Sequence, residues 1–436
     1  GEDSPFEFES GGIHFSQNTT NLDFSHRIIG LSKMRAVDIL IGSEFRYENY
    51  RIMAGEEASW INENQLAYPG AQGFPGYQPV DEVDQSRYNT GVYGDLSLDF
   101  SSRLFAEFAV RYEQYSDFGD NLSGKAAIRF SPLNWLAFRG SVGTGFRSPA
   151  LHQSYYSNTG TYYFSGFLFE VITAPNNSRI ARAFGIPDLN EETSVNYNLG
   201  FSATPSGNTR FTFDIYQIDV DDRIVLSSTF FRFDPAVNDL LADLPDVGGA
   251  QFFTNAVDTR TRGLDIVFTE TVSLPSGRLG LSLAANLNET RVTGEIKSSD
   301  EIQENNLQTT LFDRQARALL ELSQPANKYS VTFNYIRDKL VITLRSVRFG
   351  GVSYRGFAES DGRDQDYSAR WINDIKGDYE LVKTLKIIAG VNNFLNAYPD
   401  ANNEILQDNG RFPYNTAVTQ FGFSGGFYYG GMEVNF

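Results

Sequence analysis

Residues that could catalyse a reaction or hold a metal ion are sparse in this 436-residue chain. Its three histidines, His14, His26 and His152, have no neighbour at the spacing that a zinc site needs. Acidic groups at 219–222 and 361–366 carry the oxygen ligands that calcium prefers, but solvated loop charge is the simpler explanation. No Ser-His-acid set or nucleophile elbow is present. We therefore expect no enzyme, no metal site and no cofactor.

The densest aromatic segment is HQSYYSNTGTYYFSGFLFEV, residues 152–171. Aromatic side chains bury large areas against a small ligand at low entropic cost. Alternatively, this segment packs on itself or against a second aromatic group at 230–233. The ligand-binding candidates in the two segments are His152, Tyr155, Tyr156, Tyr162, Tyr163, Phe164, Phe230 and Phe231.

The segment FRGSVGTGFR contains two arginines and three glycines. Arg139, Gly143, Gly145 and Arg147 share one parity, so in a strand they would share one face. Strand glycines indicate close backbone approach or a bend, and no helix follows that would make this segment a phosphate loop. We expect Arg139 and Arg147 to pair with carboxylates of a neighbouring domain or of the same face, and Arg147, at the far end, is also a ligand candidate. The carboxylates considered are Asp214 and Glu107.

The elements that must position these residues are β-strands. Apolar and polar residues alternate, for example over 104–112 and 211–216, which predicts half-buried strands. We predict 15 strands, most of about ten residues or more, long enough to cross a bilayer at a tilt. The predicted spans are 13–29, 35–49, 87–100, 103–117, 123–130, 136–147, 191–203, 209–226, 256–272, 278–293, 328–336, 340–348, 368–381, 386–395 and 419–436.

Short turns and long loops alternate between these strands. Short turns at one rim and long loops at the other are typical of outer-membrane β-barrels. Within the loops, 235–245 and 311–325 have helical apolar spacing, for which loop packing is the expected role. The predicted long loops are about 50–86, 148–190, 227–255, 294–327, 349–367 and 396–418.

Composition narrows the class of protein. Aromatic residues make up 14% of the chain, glycines number 39, and cysteine is absent, which excludes a disulfide framework. Acidic residues outnumber basic ones by 54 to 36, so the chain lacks the basic footprint of a nucleic-acid partner. No run approaches 18 apolar residues, the length of a transmembrane helix. A soluble all-β protein, an adhesin and a membrane β-barrel remain.

The terminal segment GGMEVNF alternates to its last residue. Met432, Val434 and Phe436 would share the lipid face of a final strand that ends at the short-turn rim. Counting back from it, an odd set of strands begins at the long-loop rim, which suggests part of a barrel, since single-chain bacterial barrels have even strand numbers. We also expect two aromatic girdles. Their predicted members are Trp135, Tyr329 and Phe436 at the short-turn rim and Tyr47, Tyr50 and Tyr115 at the long-loop rim.

Together, several segments resemble the barrel of TonB-dependent outer-membrane receptors. LAFRGSVGTGFRSPAL is similar to a strand-and-loop segment of that family, TRTRGLDIVFTE to a mid-barrel strand, and GVNNFLNAYPD to the penultimate strand. LFDRQARALLELSQPANK and QFGFSGGFYYGGMEVNF resemble versions typical of Bacteroidota. The order and spacing of these segments carry the resemblance, which covers nearly the whole chain.

The resemblance implies an all-β, transmembrane antiparallel barrel of 22 strands, of which this chain would be the last 15, as a single partial barrel domain over 1–436. It implies an N-terminal plug and about seven strands outside this chain, with coupling to the TonB–ExbB–ExbD complex through the plug. Arg139, Gly143 and Gly145 would face the plug. The terminal Met432, Val434 and Phe436 resemble the signal read by the barrel-assembly machinery.

The function implied is active import of a scarce solute across the outer membrane, such as a ferric siderophore, haem, a cobalamin, a glycan or a peptide. Outer-membrane lipid and lipopolysaccharide would surround the barrel, and a surface lipoprotein covers some barrels of this kind. The alternative is a passive porin, which would need an even, self-contained strand set and a constriction loop. A membrane-embedded enzyme lacks catalytic residues, and an adhesin would show repeats or adhesive modules.

Overall fold

The computed structural model describes residues 5, 7–30, 34–61, 70, 75–164, 167–245, 247–407 and 410–434, with the backbone alone described for 161–164 and 167–169. Fifteen strands in these ranges form one antiparallel sheet, which confirms the predicted number. They are β1 Gly12–Ile29, β2 Ala36–Met53, β3 Val83–Ser101, β4 Leu104–Tyr115, β5 Gly119–Leu133, β6 Leu136–Arg147, β9 Glu192–Ala203, β10 Thr209–Leu226, β13 Phe253–Leu274, β14 Gly277–Thr293, β15 Asn327–Arg337, β16 Leu340–Phe349, β19 Arg370–Val382, β20 Leu385–Asn392 and β21 Phe427–Val434.

Each strand of this sheet pairs with the strands before and after it, and β1 and β21 stand at its two ends. At one rim the connections have two to six residues, as at 102–103 and 204–208. At the other rim all but the 116–118 link are long, as predicted. The long loops are 54–82, 148–191, 227–252, 294–326, 350–369 and 393–426. The last strand begins at Phe427 and not near 419, because the preceding segment folds into its loop.

The long loops contain their own secondary structure. Two small sheets form there: β7 Asn158–Phe164, β8 Phe167–Thr173, β11 Phe230–Phe231 and β12 Gly249–Gln251 make the first, and β17 Val352–Tyr354 and β18 Gln365–Tyr367 make the second. The helices are α1 Glu57–Trp60, α2 Leu151–Tyr155, α3 Arg179–Ala183, α4 Pro235–Leu240, α5 Asp300–Glu304, α6 Gln308–Leu311 and α7 Arg314–Glu321, with 3-10 turns at Pro79–Asp81 and Glu359–Asp361. The helical spacing seen at 235–245 and 311–325 thus corresponds to α4 and α7.

The large sheet has one apolar face and one polar face, because successive side chains point to opposite sides. On the apolar face, side chains such as Ile41 and Val110 are exposed, Ile41 by 62%. The opposite face carries ion pairs, among them Arg87 with Glu48 at 2.6 Å and Lys125 with Glu107 at 2.8 Å. Within the described ranges, no helix combines the length and apolar content needed to cross a bilayer.

Arg139 pairs across an intervening strand with Asp214, one of the two partners that its parity predicted. Its guanidinium passes over Gly200 of β9, which lies opposite Arg139 on one side and Asp214 on the other. A Cβ at Gly200 would overlap the Asp214 carboxylate. The glycine therefore permits a bidentate ion pair that fastens β6 to β10 on the polar face.

The predicted aromatic girdles are partly wrong. Tyr47 lies on the apolar face and is 44% exposed, whereas Tyr50, three residues on, has the opposite parity and is 3% exposed. Tyr115 is likewise buried, at 8% exposure, against Phe118 and Phe146. Tyr329 lies at the long-loop end of β15, not at the short-turn rim.

At the C-terminal edge, Met432 and Val434 are exposed on the apolar face, as predicted, while Glu433 points the other way and pairs with Lys386 at 2.5 Å. Phe436 lies outside the described residues. The role of these residues as an assembly signal stays a prediction.

Candidate functional site

Three of the long loops, 148–191, 227–252 and 294–326, share one hydrophobic core, which we call the loop core. At its centre Phe184, Phe230 and Phe252 are fully buried, with ring centroids 5.0 to 5.9 Å apart. Strand β12 joins two of these loops by pairing in parallel with β8 and antiparallel with β11. These three loops thus pack together around one core.

Local capping explains why short helices form in these loops. The side chains of Ser178, Asp234, Ser299 and Asp313 each accept a hydrogen bond from the first turn of α3, α4, α5 and α7. Such caps satisfy backbone donors that a short helix would otherwise leave unpaired. The capped helices α4 and α5 then turn Val237 and Ile302 into the loop core, where Leu241 and Leu311 also lie.

Beside the loop core lies a cleft of about 1250 Å³, formed by four loops. Loop 227–252 contributes Phe231, α7 and the residues before it contribute Phe312 and Arg317, loop 350–369 contributes Phe357 and Arg363, and loop 393–426 contributes Ile405. The lining is mostly apolar, and Phe357 and Ile405 are largely exposed. This volume exceeds that of an ordinary small-ligand pocket.

An ion pair joins two of the loops around this cleft. Arg314 donates two hydrogen bonds to the Asp364 carboxylate, at 2.7 and 2.5 Å, and a third to the Gly356 carbonyl at 3.1 Å. The two hydrogen bonds from Arg314 to the Asp364 carboxylate are the largest cause that lowers the pKa of Asp364, to about 2. Asp364 therefore stays charged at any pH near neutrality, and the two loops remain connected.

The other charged groups of the cleft differ in their hydrogen-bond and ion-pair partners. Asp313 caps α7 and accepts a hydrogen bond from the Ser228 hydroxyl. Asp361 accepts from the backbone N–H of Arg363 at 2.9 Å. Arg317 lies 3.5 Å from Glu321 and stacks over Phe312. Arg363 has no ion pair among the described residues, so its guanidinium is available to an acceptor group on a ligand.

The predicted aromatic site lies elsewhere and is more closely packed. Tyr155 and Tyr156 pack against a cluster containing Tyr50, Tyr77 and Leu151, with Tyr77 and Tyr156 edge to face at 6.5 Å. Burial raises the pKa of Tyr77 and of Tyr155. Tyr155 also lines a smaller cavity of about 340 Å³.

That smaller cavity is bordered by a buried carboxylate. Asp81 accepts hydrogen bonds from the Ser157 hydroxyl at 2.9 Å and from Thr159 at 3.3 Å. These bonds tie loop 54–82 to the beginning of β7. The polar groups around the cavity therefore hold two loops together.

Among the aromatic candidates, Phe230 and Phe231 have opposite environments. Phe230 has no accessible surface in the loop core, so it cannot contact a ligand in this structure, contrary to the prediction that it is a ligand-binding residue. Phe231 lines the cleft and stacks on Phe233 at 5.1 Å. The side chains of Tyr162, Tyr163 and Phe164 lie outside the described residues.

Arg147 is the last residue of β6, at the long-loop rim, and His152 lies in α2 just after it. Arg147 donates two hydrogen bonds to Glu192, at 2.7 and 2.5 Å, and its side chain is still 53% exposed, so its role as a ligand contact stays a prediction. Desolvation and the positive charge of Arg147 lower the pKa of His152, so this imidazole is neutral near pH 7. Neither lines the cleft.

Gly143 and Gly145 lie on the polar face, as predicted. A Cβ at Gly145 would come within 3.1 Å of the Ser194 hydroxyl, whereas at Gly143 it would meet only ordinary contacts of 3.4 Å or more. Close approach therefore explains Gly145 better than Gly143. Contact of either residue, or of Arg139, with a plug stays a prediction.

Most residues of the cleft were not selected from the sequence. Arg314, Arg317, Phe357, Arg363 and Ile405 were missed because four distant loops must converge before a site exists. Two signals were available: the helical spacing of 311–325 contains Arg314 and Arg317, and the acidic run 361–366 contains Arg363. Across the described residues, no three His, Cys, Asp or Glu side chains lie close enough together to hold a metal ion.

Comparison with known proteins places this architecture in a family. The family model described as "TonB dependent receptor-like, beta-barrel" matches residues 3–394. No curated protein matches the chain.

Solved structures with the same fold include the siderophore receptor PirA of Acinetobacter baumannii (TM-score 0.63, 15% identity, 97% of this chain and 55% of that one). They also include a variant of the ferric enterobactin receptor PfeA of Pseudomonas aeruginosa (0.62, 14%, 97% and 54%) and the FpvAI–pyocin S2 complex (0.61, 11%, 97% and 49%). The chain spans about half the length of these structures. With the family model matching most of its length, the chain belongs to the TonB-dependent receptor β-barrel family, whose barrels reside in the bacterial outer membrane.

Proposed function

We propose that this chain forms most of the wall and the ligand-capturing outer loops of an energy-coupled transporter that imports a scarce solute. The observation that carries the proposal is the cleft of about 1250 Å³ formed by four long loops on one rim of the sheet. A site on the outer rim is where a receptor must meet a solute from the medium. The loop core beside it positions the part of the lining that comes from loops 227–252 and 294–326 before a ligand arrives, which lowers the entropic cost of binding.

A ferric siderophore is the solute that we propose first. The lining combines a large apolar area from Phe231, Phe357 and Ile405 with the guanidinium groups of Arg317 and Arg363. Such a lining suits a bulky ligand with apolar surface and negatively charged or acceptor groups. The similar solved structures of PirA and PfeA are named siderophore and ferric enterobactin receptors, which supports the same choice. Haem, cobalamin, a glycan and a peptide are the alternatives to be tested.

The proposal includes partners beyond this chain. A plug would occupy the space beside the polar face, near Arg139, Gly143 and Gly145, and would transmit force from the TonB–ExbB–ExbD complex. Energy input is needed because a scarce solute must be accumulated against its gradient. A surface lipoprotein over the loops and a Bacteroidota-type terminus belong to the same proposal, on the strength of the sequence resemblance.

The decisive experiment measures binding of iron chelates, haem, cobalamin, glycans and peptides to the purified full-length protein and to two sets of variants. Phe231→Ala and Phe357→Ala remove apolar lining of the cleft, and Tyr155→Ala and Tyr156→Ala alter the tyrosine cluster. We expect the cleft pair to weaken binding by about tenfold to a hundredfold, as for loss of buried aromatic contacts.

Phe412→Ala is the matched control, because Phe412 is an exposed aromatic of loop 393–426 outside the cleft. It should bind like the unaltered protein. If only the tyrosine variants lose affinity, the ligand site is the one selected from the sequence and not the cleft.

Uptake by cells distinguishes active import from a passive channel. We expect accumulation of the bound solute to stop when the energy-coupling complex is deleted, while surface binding is retained. Uptake that persists without the complex would favour the porin alternative.

A further inference from the structure

A groove of about 340 Å³ crosses the polar face of the large sheet, over β4, β5, β6 and β9. Ala127 and Ser141 form its floor and lie directly opposite each other in the register of β5 and β6. Longer side chains surround these two small ones, and the groove exists because of that difference in length. The longer side chains are those of Phe105, Lys125, Arg129, Arg139 and Asn198.

Three cations line the groove, and two of them are neutralised within the sheet. Lys125 pairs with Glu107 at 2.8 Å. Arg139 pairs with Asp214, which lies on the far side of β9. The third cation is Arg129.

Arg129 has no carboxylate partner within the described ranges. It is exposed on the polar face, and its guanidinium lies over the Phe105 ring, 5.6 Å from the ring centroid. In the register it lies directly opposite Arg139, a position in which two cations repel each other. The groove therefore carries an excess of positive charge, and an anionic group bound there would relieve this repulsion.

The groove lies on the half of the wall away from the cleft. Strand β5 ends at Leu133, at the short-turn rim, and four residues separate Arg129 from that end, roughly 13 Å along a strand. The cleft lies among the long loops at the opposite rim. A solute that enters at the cleft and leaves at the short-turn rim has to pass this level of the wall.

The groove repeats a chemical arrangement that is also present in the cleft. In the cleft, Arg317 lies over Phe312 at 5.9 Å, next to apolar side chains. In the groove, Arg129 lies over Phe105, next to the methyl group of Ala127. Both places offer guanidinium N–H donors beside apolar surface, which suits an anionic group on a ligand with apolar parts. The groove is much smaller than the cleft, so it has room for one arm of a bulky solute and not for the whole molecule.

We propose that this groove is a second, weaker binding site for the imported solute, at which Arg129 receives an anionic group while the solute crosses the barrel. The inference rests on the proposed function, because it needs a solute that enters at the cleft. Binding at this level has to be weak, because a solute that is held tightly on its route is not released. Arg129 meets this condition, since it is a single exposed cation.

The first test separates capture from transit in cells that carry the full-length receptor. The probe is a radioiron-labelled ferric tris-catecholate chelate, whose binding to the surface is measured in the cold and whose uptake is measured after warming. Arg129→Gln should lower the maximal uptake rate by about fivefold to tenfold and leave the surface affinity unchanged. Arg129→Lys keeps the positive charge and should restore most of the uptake rate.

Arg210→Gln is the matched control. Arg210 has the same parity in β10 as Asp214, so it lies on the polar face, and it does not line the groove. Its variant should import the chelate like the unaltered receptor. An unchanged uptake rate in Arg129→Gln, or an equal loss of rate in Arg129→Lys, would overturn the proposal. If the unaltered receptor does not bind the chelate at its surface, the solute named under the proposed function is wrong, and the second test decides about the groove.

The second test needs no knowledge of the solute. This chain has no cysteine, so Ser141→Cys places its one thiol on the floor of the groove. In energised cells with the full-length receptor, the thiol is modified with a negatively and a positively charged methanethiosulfonate reagent, and each rate is divided by the rate with a free thiol. We expect the anionic reagent to be preferred by about fivefold, and Arg129→Gln to abolish the preference.

Two outcomes of the second test would contradict an anion site. Equal rates with the two reagents would show that the charge of Arg129 does not act on the groove. A thiol that never reacts would show that another part of the protein fills the groove permanently. Retention of the heat-dependent gel mobility of a folded barrel shows that each variant has folded.

Discussion

Phe230 and Phe231 are adjacent in the chain but belong to regions with opposite properties. Phe230 is enclosed in the loop core with Phe184 and Phe252, and Phe231 faces the open cleft. Both regions are made largely from the same loops. The difference shows how the same loops can be well packed and can still offer a binding surface. One side of a loop segment packs into the hydrophobic core, and the other side remains accessible to a ligand.

The largest effect is expected from a substitution that destabilises the loop core, because it should affect both the packing and the binding of ligand. Phe230→Ala should destabilise it locally by about 3–5 kcal/mol, because a fully buried aromatic leaves a cavity. Hydrogen exchange in 227–252 and 294–326 should rise sharply, and ligand affinity should fall with it. Phe231→Ala should lower affinity while exchange stays unchanged. Equal exchange in the two variants would contradict the division.

A second change tests whether the barrel strands can be destabilised without affecting the loop core. Gly200→Ala introduces a Cβ that overlaps the Asp214 carboxylate and should destabilise the barrel by about 1–3 kcal/mol, as overpacking does. Thermal unfolding followed by gel mobility measures it. Gly140→Ala is the control, since its Cβ would lie 3.6 Å from Leu199, an ordinary contact. Hydrogen exchange in the loop core should be unaffected by both.

A smaller effect should come from the ion pair that joins the loops of the cleft. The folded pKa of Asp364 is about 2, below its ordinary 3.8. The stabilisation by the Arg314 pair is therefore complete above pH 3.8 and is lost as the pH falls through about 2. Asp364→Asn should make loop 350–369 more accessible to protease at pH 7 and abolish the acid dependence. The loop core should remain protected.

The smallest effect concerns His152, which lies outside both regions. Its pKa is lowered in the folded protein, so protonation favours the open state as the pH falls below 6.5. Hydrogen exchange around α2 should increase slightly between pH 7 and pH 5. His152→Gln should remove this dependence and leave affinity at the cleft unchanged.

The sequence was sufficient for the wall because strand pairing there is local and regular. Alternation placed Arg139 and Asp214 on one face, and loop lengths distinguished the two rims. It was insufficient at Tyr50, where β2 continues to Met53 and the ring is buried against Tyr77 and Leu151 of the long loops. A girdle is a property of depth as well as of residue type.

The cleft could not be read from the sequence in the same way. Arg314 and Asp364 are 50 residues apart and meet only because the loop core fixes the position of α7. Phe230 and Phe231 were selected together because composition gives no sign of which ring is buried. Only the pairing of Phe230 with Ala250 and of Phe231 with Gly249 distinguishes them.

This two-residue strand β11 has a consequence for how such a receptor can diversify. Replacing Phe231 with another residue alters the cleft and leaves the packing intact, so point substitutions offer a gradual route to new ligands. Inserting or deleting a single residue near 229 would exchange the inward and outward rings and expose the hydrophobic interior. Descendants of this chain should therefore vary the cleft by substitution, and insertions should accumulate in segments that do not cross the core.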